Sequence, residues 1–222
     1  LAISGMGETA RGDLVQSKYV EAAMLVRQGK LDDASTVLAE ARSILDADPR
    51  VPRRWLAQIQ VLEGTIAERG NDPQAARQLF QDGVAGFREQ SPGSRSEALA
   101  LLSLGRVEAG LGQSALALQS FRDAFAMIRQ SNEGVRFDDA WPFFELVLAE
   151  AEKNPVTKPG LFAEMFAVGQ LVRTSQAAQT IALASARLSS SERQVGAVIR
   201  ELQDARRKRD APAGRAGVFG AP

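Results

Sequence analysis

The 222-residue chain contains no histidine and no cysteine, one tyrosine and two tryptophans. The first two absences remove whole classes of chemistry. No Cys-His or Ser-His dyad can be assembled, no imidazole is available to move protons near neutral pH, and neither thiolate nor imidazole can ligate zinc. The chain is therefore expected not to be an enzyme, with no catalytic residue, metal site or cofactor. Without cysteine there are no disulfides, which leaves the redox compartment open. Long apolar runs are also missing: none approaches the roughly 18 residues a membrane span requires, so no integral membrane segment is expected. A chain beginning at Leu1 rather than Met is expected to lack an upstream segment, such as a cleaved targeting peptide. Both a cytoplasmic and an exported location stay open.

Charge of one sign is not in excess either. Lys and Arg total 27, as do Asp and Glu, so the whole chain does not advertise nucleic acid, which is disfavoured as a partner. The distribution is less even: residues 187–215 hold 8 basic and 4 acidic side chains, against 19 and 23 before them. A mildly acidic body with a basic end is expected.

What is present is a repeat. Tyr19 to Pro49, Trp55 to Glu89 and Ala98 to Gln130 each carry a small residue in a first amphipathic run and a break near Gly or Asn. An alanine, a large apolar residue four on and a small residue three further then follow. The anchors are Ala22, Gly29, Ala34, Leu38 and Ala41, then Gly64, Ala76, Phe80 and Gly83, then Leu104, Gly105, Gly112, Ala117, Phe121 and Ala124. The alanines Ala34, Ala76 and Ala117 lie 42 and 41 residues apart. A fixed period in this range marks an α-solenoid, in which each helix pair buries its apolar face only against its neighbours. Antiparallel helices approach closely only where side chains are small. Ala22, Gly64 and Gly105 are therefore expected to face Ala34, Ala76 and Ala117, with Leu38, Phe80 and Phe121 filling the grooves between pairs.

This residue set resembles the tetratricopeptide repeat, most fully in Leu104-Gly105, Gly112, Ala117, Phe121 and Ala124. The resemblance implies an all-α, right-handed superhelix of antiparallel helix pairs. Two departures stand out: the period exceeds the family's 34, and Leu25, Ala67 and Glu108 replace the aromatic residue usual one turn after the first small residue.

Helical periodicity places the runs at about 13–28 and 31–47, 54–69 and 73–90, and 95–111 and 114–131. Gly29, Pro49 with Pro52, Gly70-Asn71-Asp72-Pro73, Ser91-Pro92-Gly93 and Gly112 break them. Asp72-Pro73 reads as an N-cap followed by proline in the first helical position. Residues 1–134 are thus expected to hold three helix pairs. Residues 135–173 read as a degenerate fourth pair, with Trp141, Phe144, Val147 and Leu148 at helical spacing and the bulky aromatic residues Trp141 and Phe144 capping the array rather than lining a ligand pocket. A helical connector or coiled coil is expected over 174–210, and a disordered Ala-, Gly- and Pro-rich tail over 211–222.

The string Glu164-Met165-Phe166, Gln170-Leu171-Val172, Ser175, Ala178 to Ala182, Ala186-Arg187-Leu188 and Leu202-Gln203-Asp204 with Arg206-Arg207 resembles the connector of bacterial tetratricopeptide proteins of the CHAT class. In that class a helical array and connector precede a caspase-like peptidase domain. The resemblance implies that this chain is the sensor or regulatory portion, with the peptidase effector in cis elsewhere in the natural polypeptide, since its His-Cys dyad has no counterpart here.

Candidate chemistry is otherwise sparse. Asp32-Asp33 and Asp138-Asp139 sit at helix starts, where negative charge is favourable and capping competes with metal or acid-base roles. Arg206-Arg207-Lys208-Arg209 reads either as a cationic helix end complementing its own dipole or as a site for phosphate, anionic lipid or an acidic partner.

Projecting the tetratricopeptide family's inward first-helix positions onto the chain yields a candidate groove. It contains Tyr19 and Arg27 from the first copy, Val61, Thr65 and Arg69 from the second, and Leu102 and Arg106 from the third. The three guanidinium forks would grip carboxylates of a protein or peptide partner while Tyr19, Val61 and Leu102 supply apolar contact. The competing reading is a set of exposed charges on amphipathic helices. The expected function is protein–protein interaction. The alternatives are oligomerisation through the helix expected at 191–209, or a basic tail that binds nucleic acid or a membrane surface.

Overall fold

The computed structural model describes residues 8–48, 54–132 and 134–172. The chain divides into two units, Leu1–Arg173 and Thr174–Pro222. The second, with the expected connector, basic end and tail, lies outside the described residues. The described part is all-α, with eight helices: α1 (Glu8–Arg27), α2 (Leu31–Ala47), α3 (Arg54–Arg69), α4 (Pro73–Gln90), α5 (Arg95–Gly110), α6 (Ser114–Gln130), α7 (Phe137–Lys153) and α8 (Lys158–Gly169). Consecutive helices pack on one another as α1 with α2, α3 with α4, and α5 with α6. Further contacts join α2 to α3 and α4 to α5.

The repeat extends to the backbone of the turns. Gly29, Asn71 and Gly112 all have positive φ, at 78°, 63° and 75°, and each stands five residues before its alanine. The next residue donates back across the helix end: Lys30 N to Leu25 O at 3.0 Å, Asp72 N to Ala67 O at 2.8 Å, and Gln113 N to Glu108 O at 2.9 Å. This is the six-to-one bond of a Schellman ending, which satisfies carbonyls the helix leaves open. The three residues that depart from the aromatic pattern, Leu25, Ala67 and Glu108, thus supply equivalent carbonyls. The second pair then starts as its sequence predicts, with Asp72 accepting from Ala75 N at 3.0 Å and proline at the start of α4.

The anchors within the helices are buried, those of the turns, Gly29 and Gly112, are exposed, and Gly105 faces Ala117 as the spacing predicts. A Cβ built on Gly64 would lie 2.9 Å from the Phe80 ring, and one on Gly105 would lie 3.1 Å from Phe121 and 3.2 Å from the Ala117 carbonyl oxygen. Phe80 and Phe121 therefore seat on the glycine of their own pair, and Phe121 also meets Phe143 of the next pair. A flat ring against a bare backbone closes the helix crossing without a gap. Gly83 does the same for Val61, whose Cγ2 would be 2.6 Å from a Cβ there.

Helix α3 carries two apolar stripes. Trp55 and Ile59, with Leu62 and Ile66, join the core of α1 and α2; Ala57, with Val61, joins the core that continues into the later helices. A first helix in such an array has a neighbour on each side, so one stripe would leave one neighbour uncovered.

The fourth pair differs in phase. Ala140, Phe143, Val147 and Ala151 face inward, and the Phe143 ring meets Phe121 at 5.7 Å and Phe125 at 5.2 Å between centroids. Of the aromatic residues expected to cap the array, Phe144 packs half-buried against the core and Trp141 is 44% exposed; Leu148 is exposed to the same extent. Alanines at both ends of the Phe143 stripe allow closer approach than the bulkier stripe would. Helix α8 begins at Lys158, ahead of the expected start, because Pro159 is accommodated in the first turn, where no backbone N–H is needed. Val135 N donates to Leu171 O at 3.0 Å in an isolated parallel bridge between Val135 and Val172.

Candidate functional site

The seven groove residues lie on the first helices α1, α3 and α5, yet most are engaged within the fold. Tyr19 is half-buried, its ring 6.1 Å from that of Trp55, and burial raises its pKa above the usual 10.0. Val61 is committed to Gly83, and Leu102 is only 4% exposed. Thr65 donates its hydroxyl to the Val61 carbonyl at 3.0 Å, a bond within its own helix. These four side chains do not form the free apolar floor that was expected.

Two of the three arginines are also engaged by acceptors within the fold. Arg69 Nη1 donates to the Val26 carbonyl oxygen at 2.6 Å, placing a cation at the last turn of α1, where the helix dipole favours it. Arg106 donates to both carboxylate oxygens of Glu68, at 2.8 and 2.6 Å. Each contact joins the end of one first helix to the next, α1 to α3 and α3 to α5. The expected ridge of free guanidinium forks is therefore corrected: burying apolar neighbours brings these arginines within reach of internal acceptors. Arg27, exposed as Arg69 is, is the groove arginine with no acceptor among the described residues, and Val20 and Met24, 49% and 57% exposed, precede it on one stripe of α1 at positions i, i+4 and i+7.

Other polar groups hold the pairs in register. Ser94 caps α5, accepting from Glu97 N at 3.3 Å. Glu97, 1% exposed, in turn accepts from Gly93 N and Arg88 Nε, both at 2.8 Å. Buried Glu108 accepts the Ser120 hydroxyl proton at 2.7 Å, while Arg77 Nη1 donates to Gln113 Oε1 at 3.0 Å. Burial raises the Glu108 pKa, opposed by the Ser120 hydrogen bond and the charge of Arg77. Glu63 is raised by burial too, opposed by Arg42, whose Nη1 lies 3.0 Å from its carboxylate. Arg11 pairs with Asp48 and Lys18 with Glu40, tying α1 to α2. The Ser94-x-x-Glu97 pattern is a sequence signature of a capping box. No local pattern marks Glu108.

Neither acidic pair caps its helix. Lys30 and Arg136 occupy the N-cap positions, and Asp32-Asp33 and Asp138-Asp139 lie in the first turns, where they act on the dipole. Two open clefts, about 480 Å³ beside Leu56, Gln60, Gly86 and Glu89 and about 440 Å³ beside Leu14, Lys18, Glu40 and Ile44, are lined by none of the seven groove residues. No helix among the described residues is long and apolar enough to cross a membrane.

No family model matches the chain, and no curated protein matches it. Among solved structures it is similar to that of BtubC (BKLC) from P. vanneervenii, with a TM-score of 0.59 and 14% sequence identity, over 96% of this chain and 87% of that one. At this identity the likeness concerns the fold alone. It corrects the expectation that the chain is not an enzyme: a fold neighbour at 14% identity indicates neither catalysis nor its absence.

Proposed function

We propose that this chain is a protein–protein interaction module of tetratricopeptide type that takes an acidic peptide or protein segment. The observation that carries the reading is the Val20-Met24-Arg27 stripe on α1, where two large apolar side chains stand in solvent beside the groove arginine that no acceptor among the described residues engages. Apolar contact ending in an exposed guanidinium suits a segment that pairs aliphatic residues with a carboxylate. Thioether flexibility at Met24 allows the patch to adapt to more than one sequence. The connector-like residues at the end of α8 support placing this array as the sensor or regulatory portion of a CHAT-class protein, with its peptidase effector in cis. A natural reading frame that ends without a domain containing His and Cys would remove that placement and leave the binding reading intact.

The binding reading is tested by selecting peptides from a random display library against the full chain. Enriched peptides should carry carboxylates with neighbouring apolar residues and should lose at least about tenfold in affinity for Arg27→Glu. Failure to enrich any peptide, or peptides that bind the parent and Arg27→Glu alike, would overturn it.

A further inference from the structure

Helix α7 presents a second face, of opposite electrostatic character. Phe137, Trp141, Phe144 and Leu148 follow one another at intervals of four, three and four residues, so they form a single stripe along the helix. Phe137, Trp141 and Leu148 are exposed, Phe144 is half-buried, and the Phe137 ring lies 5.3 Å from Trp141 and 6.3 Å from Phe144. Three large aromatic side chains left partly in water on one helix go well beyond the scattered apolar exposure of an ordinary surface. The inward face of α7 is already occupied by Phe143, Leu146 and Val147; of the outer stripe Phe144 packs against that core, and Phe137, Trp141 and Leu148 stand outside it.

The flank of the stripe is charged with one sign. Asp138, Glu145 and Glu152 recur every seven residues and are exposed along one edge of it. Arg136 reaches only the first, at 3.1 Å from Asp138, and Lys153 is turned to Glu150 at 2.7 Å. An apolar stripe beside a heptad-spaced acidic row is complementary to a helix with its own apolar stripe and a row of Lys or Arg at the same spacing. We infer that the outer face of α7 docks a basic amphipathic helix of a partner protein, with Trp141 as the central anchor and Asp138, Glu145 and Glu152 setting the orientation. Aromatic anchors surrounded by a charged rim are the arrangement that concentrates binding energy at an interface. This surface is independent of the α1 stripe, and its ligand has the opposite charge.

The test uses the full chain and two synthetic helix-forming peptides with identical leucine stripes, one flanked by arginine and one by glutamate, titrated by fluorescence anisotropy. The basic peptide should bind, and the acidic one should bind at least about tenfold more weakly. In the triple variant Asp138→Lys, Glu145→Lys, Glu152→Lys that preference should reverse. Trp141→Ser with Leu148→Ser should lose both peptides while circular dichroism and melting stay unchanged, since neither residue is buried. Arg27→Glu should leave the basic peptide bound, which separates this face from the α1 reading. Equal affinity for the two peptides, or binding of neither, would overturn the inference. So would a parent chain that sediments as a dimer dispersed by Trp141→Ser, which would assign the face to a second copy. Trp141 already shielded from iodide in the free chain would assign it to the rest of this polypeptide.

Discussion

Arg106 on α5 holds Glu68 on α3 through two hydrogen bonds, from Nε and Nη2, at 2.8 and 2.6 Å. The contact spans 38 residues of sequence and joins the first helices of successive pairs. Its side chains keep 39% and 26% of their exposure, so water screens the charges, and the fork geometry fixes register more than it adds stability. Arg106→Ala and Glu68→Ala should each cost less than about 1 kcal/mol in urea unfolding. The double variant should cost less than the sum of the two. Strict additivity would show that the pair does not couple the helices.

The glycine crossings should be far more sensitive. Gly64→Ala places a methyl group 2.9 Å from the Phe80 ring, and overpacking of this kind costs about 1–3 kcal/mol. Phe80→Ala should cost about 3–5 kcal/mol through the cavity it leaves. Gly110→Ala, with nothing within 4 Å of the new carbon, should be neutral or stabilising by up to about 1 kcal/mol because alanine is the better helix former. Melting temperatures of the three variants should therefore rank Gly110→Ala highest and Phe80→Ala lowest.

Glu97 holds the start of α5 to the end of α4. Its replacement by alanine removes the acceptor for Gly93 N and for Arg88; both donors are exposed and can turn to water, so the cost is that of the lost hydrogen bonds, about 0.5–1.5 kcal/mol. Glu97→Gln should recover part of that loss by accepting from Gly93. A glutamine variant no more stable than the alanine variant in chemical denaturation would contradict the assigned bond.

Glu108 makes stability depend on pH. Burial raises its carboxyl above the ordinary 4.5, so the folded chain binds the proton more tightly than the unfolded chain does. The sign follows: this contribution is present below the unfolded value and is lost as pH rises through the raised folded value. Glu63, also raised by burial, acts in the same direction. Glu108→Gln should therefore melt higher than the parent at pH 7, with the gap closing below about pH 4. A glutamine variant that melts lower at pH 7 would mean that Ser120 and Arg77 outweigh the burial.

The sequence makes the array legible where local chemistry decides it. The turns follow from Gly29, Asn71 and Gly112, and the start of α4 from Asp72-Pro73, because each is a backbone requirement met by a few residue types. The buried anchors follow from the repeat itself. What is not legible depends on register between helices. Glu68 and Arg106 are both readable as exposed charges until α3 and α5 are placed side by side, and the same holds for Arg69 and the Val26 carbonyl. On α7 the bulkier stripe through Trp141 looks like the core, yet the stripe through Phe143 is the one whose alanines permit close packing. Sequence hydrophobicity ranks the faces by size; packing ranks them by fit.

The most direct test of the central claim, that the first-helix surface at α1 takes a protein partner, is hydrogen–deuterium exchange of the full chain with and without a selected acidic peptide. Slowed exchange should appear in Gln16 to Arg27 and be absent from the same region of Arg27→Glu at equal peptide concentration. Protection confined to α7, or to residues beyond Arg173, with α1 unchanged, would contradict the claim.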